Sequence, residues 1–581
     1  MMDASYDSAA EVAGKGGMTS EEIKTKQAMM PAFELPRRKD VRSFAVITNI
    51  RFDFFRNLTL FYHFLTPPSK ILYSLPPASC FMFYIPCPMY HMPMSLMRAI
   101  ARNTGVQVAG KVLSTALGIA LVALLTRQLG QEGFGMYSTA NAFLQIFALL
   151  LDLGLNVTLI AMLGEHADDK TYEKRCLSAL FTLRIVLAVM ILGIIAPIVA
   201  FAFPYPIELK LAILALTASF IFPSLNQVVI GAQQRHLKMR MAAVSENVGR
   251  VIALAGVIAA PSLGWGLVPI MWVISVAGFG NFIVNFLSAR RYAPLGWNWD
   301  PAFWLIALKR SWPIGVSIAF GLAYFKADTL ILSLVRSQAE VGLYGAAYRV
   351  LEVLITVPFM YAGVLLPLLA NAFVKKEKDR LQKYVSASLD VMILMAIPMV
   401  AGTWLLGPEV MRLIAGADFV GSGEILRILV IAVAVIYLNT IFSHIVVAVN
   451  AQKKMLPVYA VVGLGTIALY FLFIPIYGVW AAAWLTVASE FVIGVGSLLV
   501  ARRYLAITYR PRATVAALGA SLVMAAVVVV SASLPVAIRI LLGAGAYLGC
   551  VLLVGGISKE VLRDIFKLQK ETSTELGPKN W

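Results

Sequence analysis

Eleven ionisable side chains stand inside long apolar stretches of the sequence, where a charge is costly unless it has a partner or faces a water-filled cavity. Cationic side chains in such a cavity would bind an anionic group, and arginine does so best because its planar guanidinium pairs with two phosphate oxygens. Carboxylates at the same depth could take up a proton or Na⁺. The eleven residues are Lys111, Asp152, Arg184, Glu246, Arg250, Lys326, Asp328, Arg349, Glu352, Glu490 and Arg539.

The composition places these residues in a membrane. Of the 581 residues, 60% are hydrophobic and 14% are charged, whereas a soluble globular protein has about 25% charged residues. A soluble enzyme, a disordered chain and a coiled coil are therefore excluded. The cysteines and histidines lack the spacing of a zinc or haem site, and no GxxxxGK[ST] loop indicates an ATPase. We expect no cofactor, no metal and no nucleic-acid partner.

Apolar segments of about 20 residues, the length of a membrane-spanning helix, follow one another from residue 94 onward. The expected fold class is an all-α polytopic membrane protein with about fourteen transmembrane helices. The segments are 104–126, 136–160, 179–201, 208–230, 242–261, 266–289, 312–335, 342–371, 386–406, 425–449, 455–475, 477–499, 513–533 and 535–556.

Lysine and arginine are unevenly divided between the loops. One set of alternate loops contains 21 of them, and the other contains 3, namely Arg127, Arg336 and Arg412. Positive residues concentrate in cytoplasmic loops, so the split predicts that both termini lie in the cytoplasm. It also supports an even number of segments, because one missed segment would exchange all later loops.

Two segments open with the same pattern, G-x-Y-x-x-A, six segments apart. It occurs at Gly135–Ala140 and again, 207 residues later, at Gly342–Ala347, with a third echo at Gly478-Val-Trp480. The repetition indicates two six-helix halves, and repeated halves are typical of transporters, whose substrate cavity lies between them.

Residues 1–93 differ from the rest, because they are polar at first and then interrupted by prolines, which fits neither a spanning helix nor a secretory signal. We expect a disordered or wrongly included N-terminal extension, with the native start at Met94 or Met97. The expected divisions are this extension, a bundle at 94–291, a second bundle at 292–504, two additional helices at 505–557 and a cytoplasmic tail at 558–581.

Two further runs carry a family resemblance. They are Thr126-Arg127-Gln-Leu-Gly130-Gln-Glu132-Gly-Phe-Gly135-Met-Tyr137 and Leu151-Asp152-Leu-Gly154-Leu, both within Asn103–Ile160. This stretch resembles the opening of bacterial polysaccharide exporters, which include the lipid-linked oligosaccharide and O-antigen flippases of the multidrug/oligosaccharidyl-lipid/polysaccharide exporter superfamily. The segment count and the short loops also resemble that family, from Met94 to about Ile557.

The resemblance implies a V-shaped cavity between two six-helix bundles. It further implies that an undecaprenyl-diphosphate-linked sugar repeat unit is flipped from the cytoplasmic to the periplasmic leaflet, for the synthesis of O-antigen, capsule or exopolysaccharide. The implied partners are this glycolipid, the bilayer and a polysaccharide polymerase complex. The mechanism implied is alternating access, in which the two halves rock about the cavity.

Four cations are candidates for binding the anionic head group, because their helices face the cleft in this architecture by analogy: Lys111, Arg250, Lys326 and Arg349. The alternative is ion pairing within a helix, which the spacing allows for Glu246 with Arg250 and for Arg349 with Glu352. Lys326 and Asp328 stand two residues apart and point to different faces, which favours a cavity role for Lys326.

The acids Asp328, Glu352 and Glu490 are candidates for coupling transport to H⁺ or Na⁺. The remaining charges have structural interpretations. Asp152 is expected to be a partner for its loop, and Arg184 and Arg539 are near enough to helix ends to extend to the membrane surface.

Two other functions stay open at this point. A drug or cation antiporter of the same superfamily would usually have twelve helices and a less basic cavity. A membrane-embedded polymerase or glycosyltransferase would need paired catalytic carboxylates in a sizeable outer loop, and the longest outer loop, 407–424, is too short to build such a site. We therefore expect no enzymatic activity.

The uneven division of lysine and arginine between the loops predicts on which side of the membrane the C-terminal tail lies. A reporter that is active only in the periplasm, fused after Lys570, should remain silent, because the tail should be cytoplasmic. The same reporter inserted in loop 407–424 should be active. A strong periplasmic signal from the Lys570 fusion would contradict the segment count.

Overall fold

The computed structural model describes residues 94–166, 169–236, 238–507 and 511–554, and these ranges contain helices and no strand. The expectations for residues 1–93 and for the tail at 558–581 lie outside them. The helices are α1 (Met94–Asp152), α2 (Leu155–Glu165), α3 (Lys170–Ala188), α4 (Ala196–Ala202), α5 (Ile207–Arg235), α6 (Arg240–Ala259), α7 (Leu267–Ala289), α8 (Pro301–Val335), α9 (Gln338–Val374), α10 (Lys378–Ala415), α11 (Ser422–Ala448), α12 (Gln452–Tyr477), α13 (Val479–Arg502), α14 (Pro511–Val530) and α15 (Val536–Val554).

Within the described ranges, 12 helical stretches are long and apolar enough to cross a membrane, so the predicted class of all-α multi-pass membrane protein is confirmed. The first of them, Ala109–Glu165, has 57 residues, whereas one crossing needs about 20. Its helix is interrupted at Gly130, where φ is 63° and ψ is −172°. Helix α8 is not one of the 12. The number fourteen stays a prediction.

Two of the helices, α3 and α8, begin at an aspartate whose side chain caps the first turn. Asp169 accepts hydrogen bonds from two backbone amides at the start of α3, both at 2.9 Å. Asp300 accepts one from the backbone amide of Phe303 at 3.1 Å, and it also pairs with Arg175 at 2.7 Å. The Arg175 contact, together with the backbone hydrogen bond, holds the pKa of Asp300 below its usual range.

Contacts between loops agree with the alternation that the charge count predicts. Arg175–Asp300, His236–Glu173 and Arg310–Glu165 pair loops or helix ends that all belong to the lysine- and arginine-rich set. On the other set, the Arg336 guanidinium donates to the carbonyl of Ile476 at 2.9 Å, and the Gln131 amide donates to the carbonyl of Asp418. Each of these contacts joins two loops or helix ends of the same set, as expected if successive helices cross the membrane in alternating directions. Which set faces the cytoplasm stays a prediction.

The buried apolar side chains of the described residues form four clusters, the smallest of which consists of Val462 and Ile493. The largest involves α1, α5, α9 and α11 among others, and a second is formed mainly by α2, α3, α5 and α7 with the start of α8. The third joins the C-terminal pair α14 and α15 to α10, where the Tyr547 hydroxyl donates to the carbonyl of Leu394 at 2.6 Å. The C-terminal pair therefore packs on one side of α10.

The repeated glycines meet in space. A Cβ atom on Gly135 would lie 1.7 Å from the carbonyl oxygen of Gln338, and one on Gly342 would lie 2.0 Å from the carbonyl oxygen of Gln131. Each glycine thus lies against the backbone that precedes the other, and no residue with a side chain fits at either position. We call these four residues the glycine crossing. The Thr139 hydroxyl adds a hydrogen bond of 2.9 Å to the Gln338 side chain.

The glycine crossing is reciprocal, as expected where two copies of one structural unit pack against each other. It joins α9 to the part of α1 that follows the break at Gly130. The division into two six-helix halves is itself a prediction, to which this symmetry lends support.

The crossing makes a prediction about stability. Gly135→Ala and Gly342→Ala should each lower the melting temperature of the detergent-purified protein, because forcing a methyl group into packed backbone costs about 1–3 kcal/mol. Gly465→Ala is the matched control, since Gly465 is exposed in the middle of α12 and a Cβ there would meet nothing within 4 Å. Equal melting temperatures for all three variants would contradict the close packing.

Candidate functional site

A cavity of about 920 Å³ is lined by α1, α5, α6, α7 and α9. Along α9 it extends from Arg349 to Val364, which is about 22 Å at 1.5 Å per residue. That is most of the roughly 30 Å thickness of a bilayer's hydrocarbon core. Binding pockets for small ligands occupy about 300–1,000 Å³, so the cavity is large enough for a bulky polar group.

Three cationic side chains and one carboxylate line this cavity: Lys111, Arg250, Arg349 and Glu246. Three of the four sequence-predicted anion-binding residues therefore surround one space. They come from α1, α6 and α9, which are far apart in the chain.

The Glu246 carboxylate is bound to α1 and not to its own helix. Its Oε1 atom accepts hydrogen bonds from Lys111 Nζ at 3.2 Å and from the Ser114 hydroxyl at 2.7 Å. The pairing of Glu246 with Arg250 that the spacing allowed is replaced by this contact between helices. The side chains of Lys111 and Glu246 are 46% and 34% exposed, so the pair borders on open space.

Arg250 is consequently left available. Its guanidinium packs over Gly118, with the central carbon 3.7 Å from where a Cβ would stand. Among the described residues, no hydrogen bond or ion pair to Arg250 is recorded. Glu246 is near enough to interact electrostatically with Arg250. Because Glu246 is already bound to Lys111 and Ser114, the half-buried guanidinium of Arg250 can still bind an anion in the cavity.

Arg349 forms the predicted pair with Glu352, one helical turn away, at 2.8 Å. Its guanidinium also lies over the ring of Tyr137, 5.6 Å from the centroid, and donates to the Tyr137 hydroxyl at 3.4 Å. The tyrosine of the first repeat thus contacts the arginine of the second half. Arg349 still lines the cavity, so it can contact a ligand while it remains paired.

Lys326 is located differently from the expectation. It does not line the 920 Å³ cavity, and its Nζ atom is 2.5 Å from Glu352. The ammonium also lies 4.4 Å from the centroid of the Tyr348 ring. The sequence argument excluded a partner on the same helix, but the partner comes from α9, which packs beside α8. A void of about 20 Å³ next to Lys326 shares Asn141 and Arg349 with the cavity.

The other two acids proposed for ion coupling are also outside the cavity lining. Asp328 is fully buried, and it accepts hydrogen bonds from the Tyr344 hydroxyl and from the Thr329 backbone amide, both at 2.5 Å. Tyr344 belongs to the second G-x-Y repeat. Glu490 is 5% exposed on α13. No group of three or more potential metal ligands occurs among the described residues.

Arg184 corrects another expectation. Its side chain is only 2% exposed and pairs with Asp152 at 2.5 Å, with a second hydrogen bond of 3.0 Å to the carbonyl of Ser224. It therefore does not extend to the membrane surface, because its partner Asp152 is available on α1. Arg539 lies 3.6 Å from Glu409 on α10.

The sequence reasoning missed the uncharged amides of the cavity. Gln107, Asn141, Asn226, Gln227 and Asn281 all contribute to its lining. Their signal in the sequence is asparagine or glutamine within an apolar segment, and a search for charged residues alone does not detect it.

Comparison with known proteins decides the family. The profile of the polysaccharide biosynthesis protein family matches residues 100–373, and the MatE profile matches residues 313–476. The chain belongs to the multidrug/oligosaccharidyl-lipid/polysaccharide exporter superfamily. The resemblance seen in Asn103–Ile160 is confirmed by the first match, which covers the whole of that stretch.

Individual relatives agree with this assignment. The chain is 22% identical over 421 residues to the probable flippase AglR of Haloferax volcanii, covering 70% of this chain and 83% of that one. The lipid II flippase MurJ, in an inward closed conformation, is similar in fold with a TM-score of 0.64 at 15% identity, covering 79% of this chain and 99% of that one. An inward-facing multidrug resistance MATE family transporter has a TM-score of 0.58 at 16% identity, covering 69% and 97%. These relatives are membrane transport proteins and not enzymes, as expected for this chain.

The ion pairs that Glu352 forms with Lys326 and Arg349 lead to a prediction about stability. Glu352→Gln should strongly destabilise the protein, since it leaves Lys326 and Arg349 without their shared counter-ion, and breaking a buried pair costs on the order of 3 kcal/mol. Glu424→Gln is the control, because Glu424 forms the same i,i+3 pair with Arg427 but is 48% exposed, where such pairs contribute about 0–1 kcal/mol. Thermal unfolding in detergent would compare them, and equal shifts would contradict the assignment.

Proposed function

We propose that this membrane protein flips an undecaprenyl-diphosphate-linked oligosaccharide from the cytoplasmic to the periplasmic leaflet of the bacterial inner membrane, as a step in polysaccharide synthesis. The observation that carries the proposal is the cationic lining of the cavity, above all the available guanidinium of Arg250. A diphosphate bears at least two negative charges and needs such a cluster to leave the head-group layer. The relatives named as flippases support the same class of substrate.

The shape of the site fits alternating access. The cavity extends along α9 toward the end that is predicted to be cytoplasmic, and the glycine crossing joins α1 to α9 near the opposite end. A head group could therefore enter from the cytoplasmic leaflet while the periplasmic side is closed. Opening that side would require the two helices to separate at the crossing, with the lipid tail remaining in the bilayer.

Coupling to H⁺ or Na⁺ is part of the proposal, and the geometry favours one of the three acids. Glu352 bridges Lys326 and Arg349 and would be protonated only with difficulty. Asp328 is held by the neutral groups of Tyr344 and Thr329, so a change of its charge would not leave a bound cation behind. We therefore propose Asp328 as the coupling acid.

The cavity charge argues against the two other functions. A cationic drug would be repelled by a lining with three cationic side chains and one carboxylate. A polymerase or glycosyltransferase would need carboxylates placed around a reacting bond, and Glu246, the carboxylate of the lining, is held by Lys111 and Ser114.

The proposal predicts the effect of removing the available cation. Arg250→Ala should slow flipping of a fluorescent undecaprenyl-diphosphate oligosaccharide about tenfold or more in proteoliposomes, because a charge-assisted contact contributes about 1.5–3 kcal/mol. Arg250→Lys should retain part of the activity, since the charge remains while the bidentate geometry is lost. Chemical quenching of the fluorophore in the outer leaflet measures the rate.

Arg240→Ala is the matched control for this experiment. Arg240 begins the same helix, α6, but is exposed and does not line the cavity, so its removal should leave flipping unchanged. Wild-type protein that flips no diphosphate lipid, or that instead exchanges a cationic drug for protons, would overturn the proposed function.

A further inference from the structure

The described amides of α5 and α7 form a directed chain that ends at the cavity. Gln233 Nε2 donates to Asn285 Oδ1 at 2.5 Å, and Asn285 Nδ2 donates to Asn226 Oδ1, also at 2.5 Å. Asn226 Nδ2 in turn donates to Asn281 Oδ1 at 3.4 Å. Gln233 and Asn285 are fully buried, and Asn226 is 6% exposed. Asn226 and Asn281 both line the 920 Å³ cavity.

The last member of the chain presents an unused donor. The carbonyl oxygen of Asn281 is directed toward Asn226, so its amide NH₂ group is left to face the cavity. No partner for that NH₂ group is recorded among the described residues. Each of these hydrogen bonds restrains the orientation of the amide that accepts it, although Gln233 Oε1 has no partner in the described part of the chain. The NH₂ group of Asn281 is thus held in place before any ligand arrives.

Three of the cavity amides lie on helices that contribute none of the cations. Asn226, Gln227 and Asn281 belong to α5 and α7, whereas Lys111 and Arg250 belong to α1 and α6. A neutral amide lacks the charge that attracts a diphosphate over a distance. It is suited to hydroxyl and acetamido groups, with which it can both donate and accept hydrogen bonds.

We infer that the α5–α7 wall is a carbohydrate subsite, in which the NH₂ group of Asn281 donates to a hydroxyl or carbonyl oxygen of the sugar next to the diphosphate. This inference rests on the proposed function, because the diphosphate bound at Arg250 brings the sugar into the same cavity. Asn226 and Asn285 are positioning residues, since they act through Asn281. The volume of about 920 Å³ leaves room for sugar beside the diphosphate.

Binding of two matched lipids tests the subsite. The probes are undecaprenyl diphosphate and undecaprenyl-diphosphate N-acetylglucosamine, measured against the full chain in lipid nanodiscs. Wild-type protein should bind the glycolipid more tightly than the sugar-free lipid. Asn281→Ala should weaken glycolipid binding about three- to tenfold, the effect of one neutral hydrogen bond, and should leave binding of the sugar-free lipid unchanged. Arg250→Ala should weaken binding of both lipids by a similar factor.

Two further variants test the amide network and the specificity of the effect. Asn285→Leu removes the link between Gln233 and Asn226 and should reduce the preference for the glycolipid without removing any cavity donor. Asn439→Ala alters a half-buried amide on α11, away from the cavity, and should change neither affinity. If Asn281→Ala weakens both lipids alike, or neither, the carbohydrate subsite is wrong while the flippase proposal stands. If wild-type protein binds neither lipid, the proposed function is wrong, and the subsite with it.

Discussion

A charge inside a bilayer must be paired or hydrated, and this constraint sorts the ionisable residues of the chain into two groups. Arg184 with Asp152, and Lys326 and Arg349 with Glu352, are held in ion pairs with side chains that are mostly or partly buried. Lys111 and Arg250 instead line a cavity large enough to contain water. Only the second group can exchange its present contacts for a ligand at low cost. The site is therefore defined by two cations: Arg250, which has no ion pair among the described residues, and Lys111, whose pair with Glu246 is partly exposed.

The sequence located the charged residues within the apolar segments and was less informative about their partners. The Arg349–Glu352 pair was predictable, because i,i+3 neighbours share a helix face whatever the rest of the fold does. Glu246 had an equally good local partner in Arg250, yet it pairs with Lys111 on α1. Lys326 has its partner on α9. Contacts between helices depend on the rotation of each helix about its axis, which an apolar sequence leaves largely undetermined.

For the fold, too, features within one segment of the sequence were easier to predict than contacts between distant segments. Apolar length predicted the helices, and the alternation of charge predicted which loops contact one another. The G-x-Y repeat was visible as two matching patterns, but the sequence did not reveal that the two glycines would pack against each other's helices. The repeat's tyrosines differ in what they contact: Tyr137 meets Arg349 at the cavity, whereas Tyr344 is bound to buried Asp328. Equivalent positions of the two repeats thus serve the cavity in one case and the buried acid in the other.

The two walls of the cavity divide affinity from specificity. Every polyprenyl-diphosphate glycan carries the same diphosphate, so the cations that attract it cannot distinguish one glycan from another. To discriminate between glycans, the protein needs side chains that contact the sugar, which is the part that varies. Discrimination improves when a wrong sugar leaves the hydrogen-bonding groups of these side chains without a partner. A rigid amide with one free donor meets both requirements, since a sugar without a matching acceptor would leave that donor buried and unpaired. On this argument, relatives that handle different glycans should keep the cations and differ along α5 and α7.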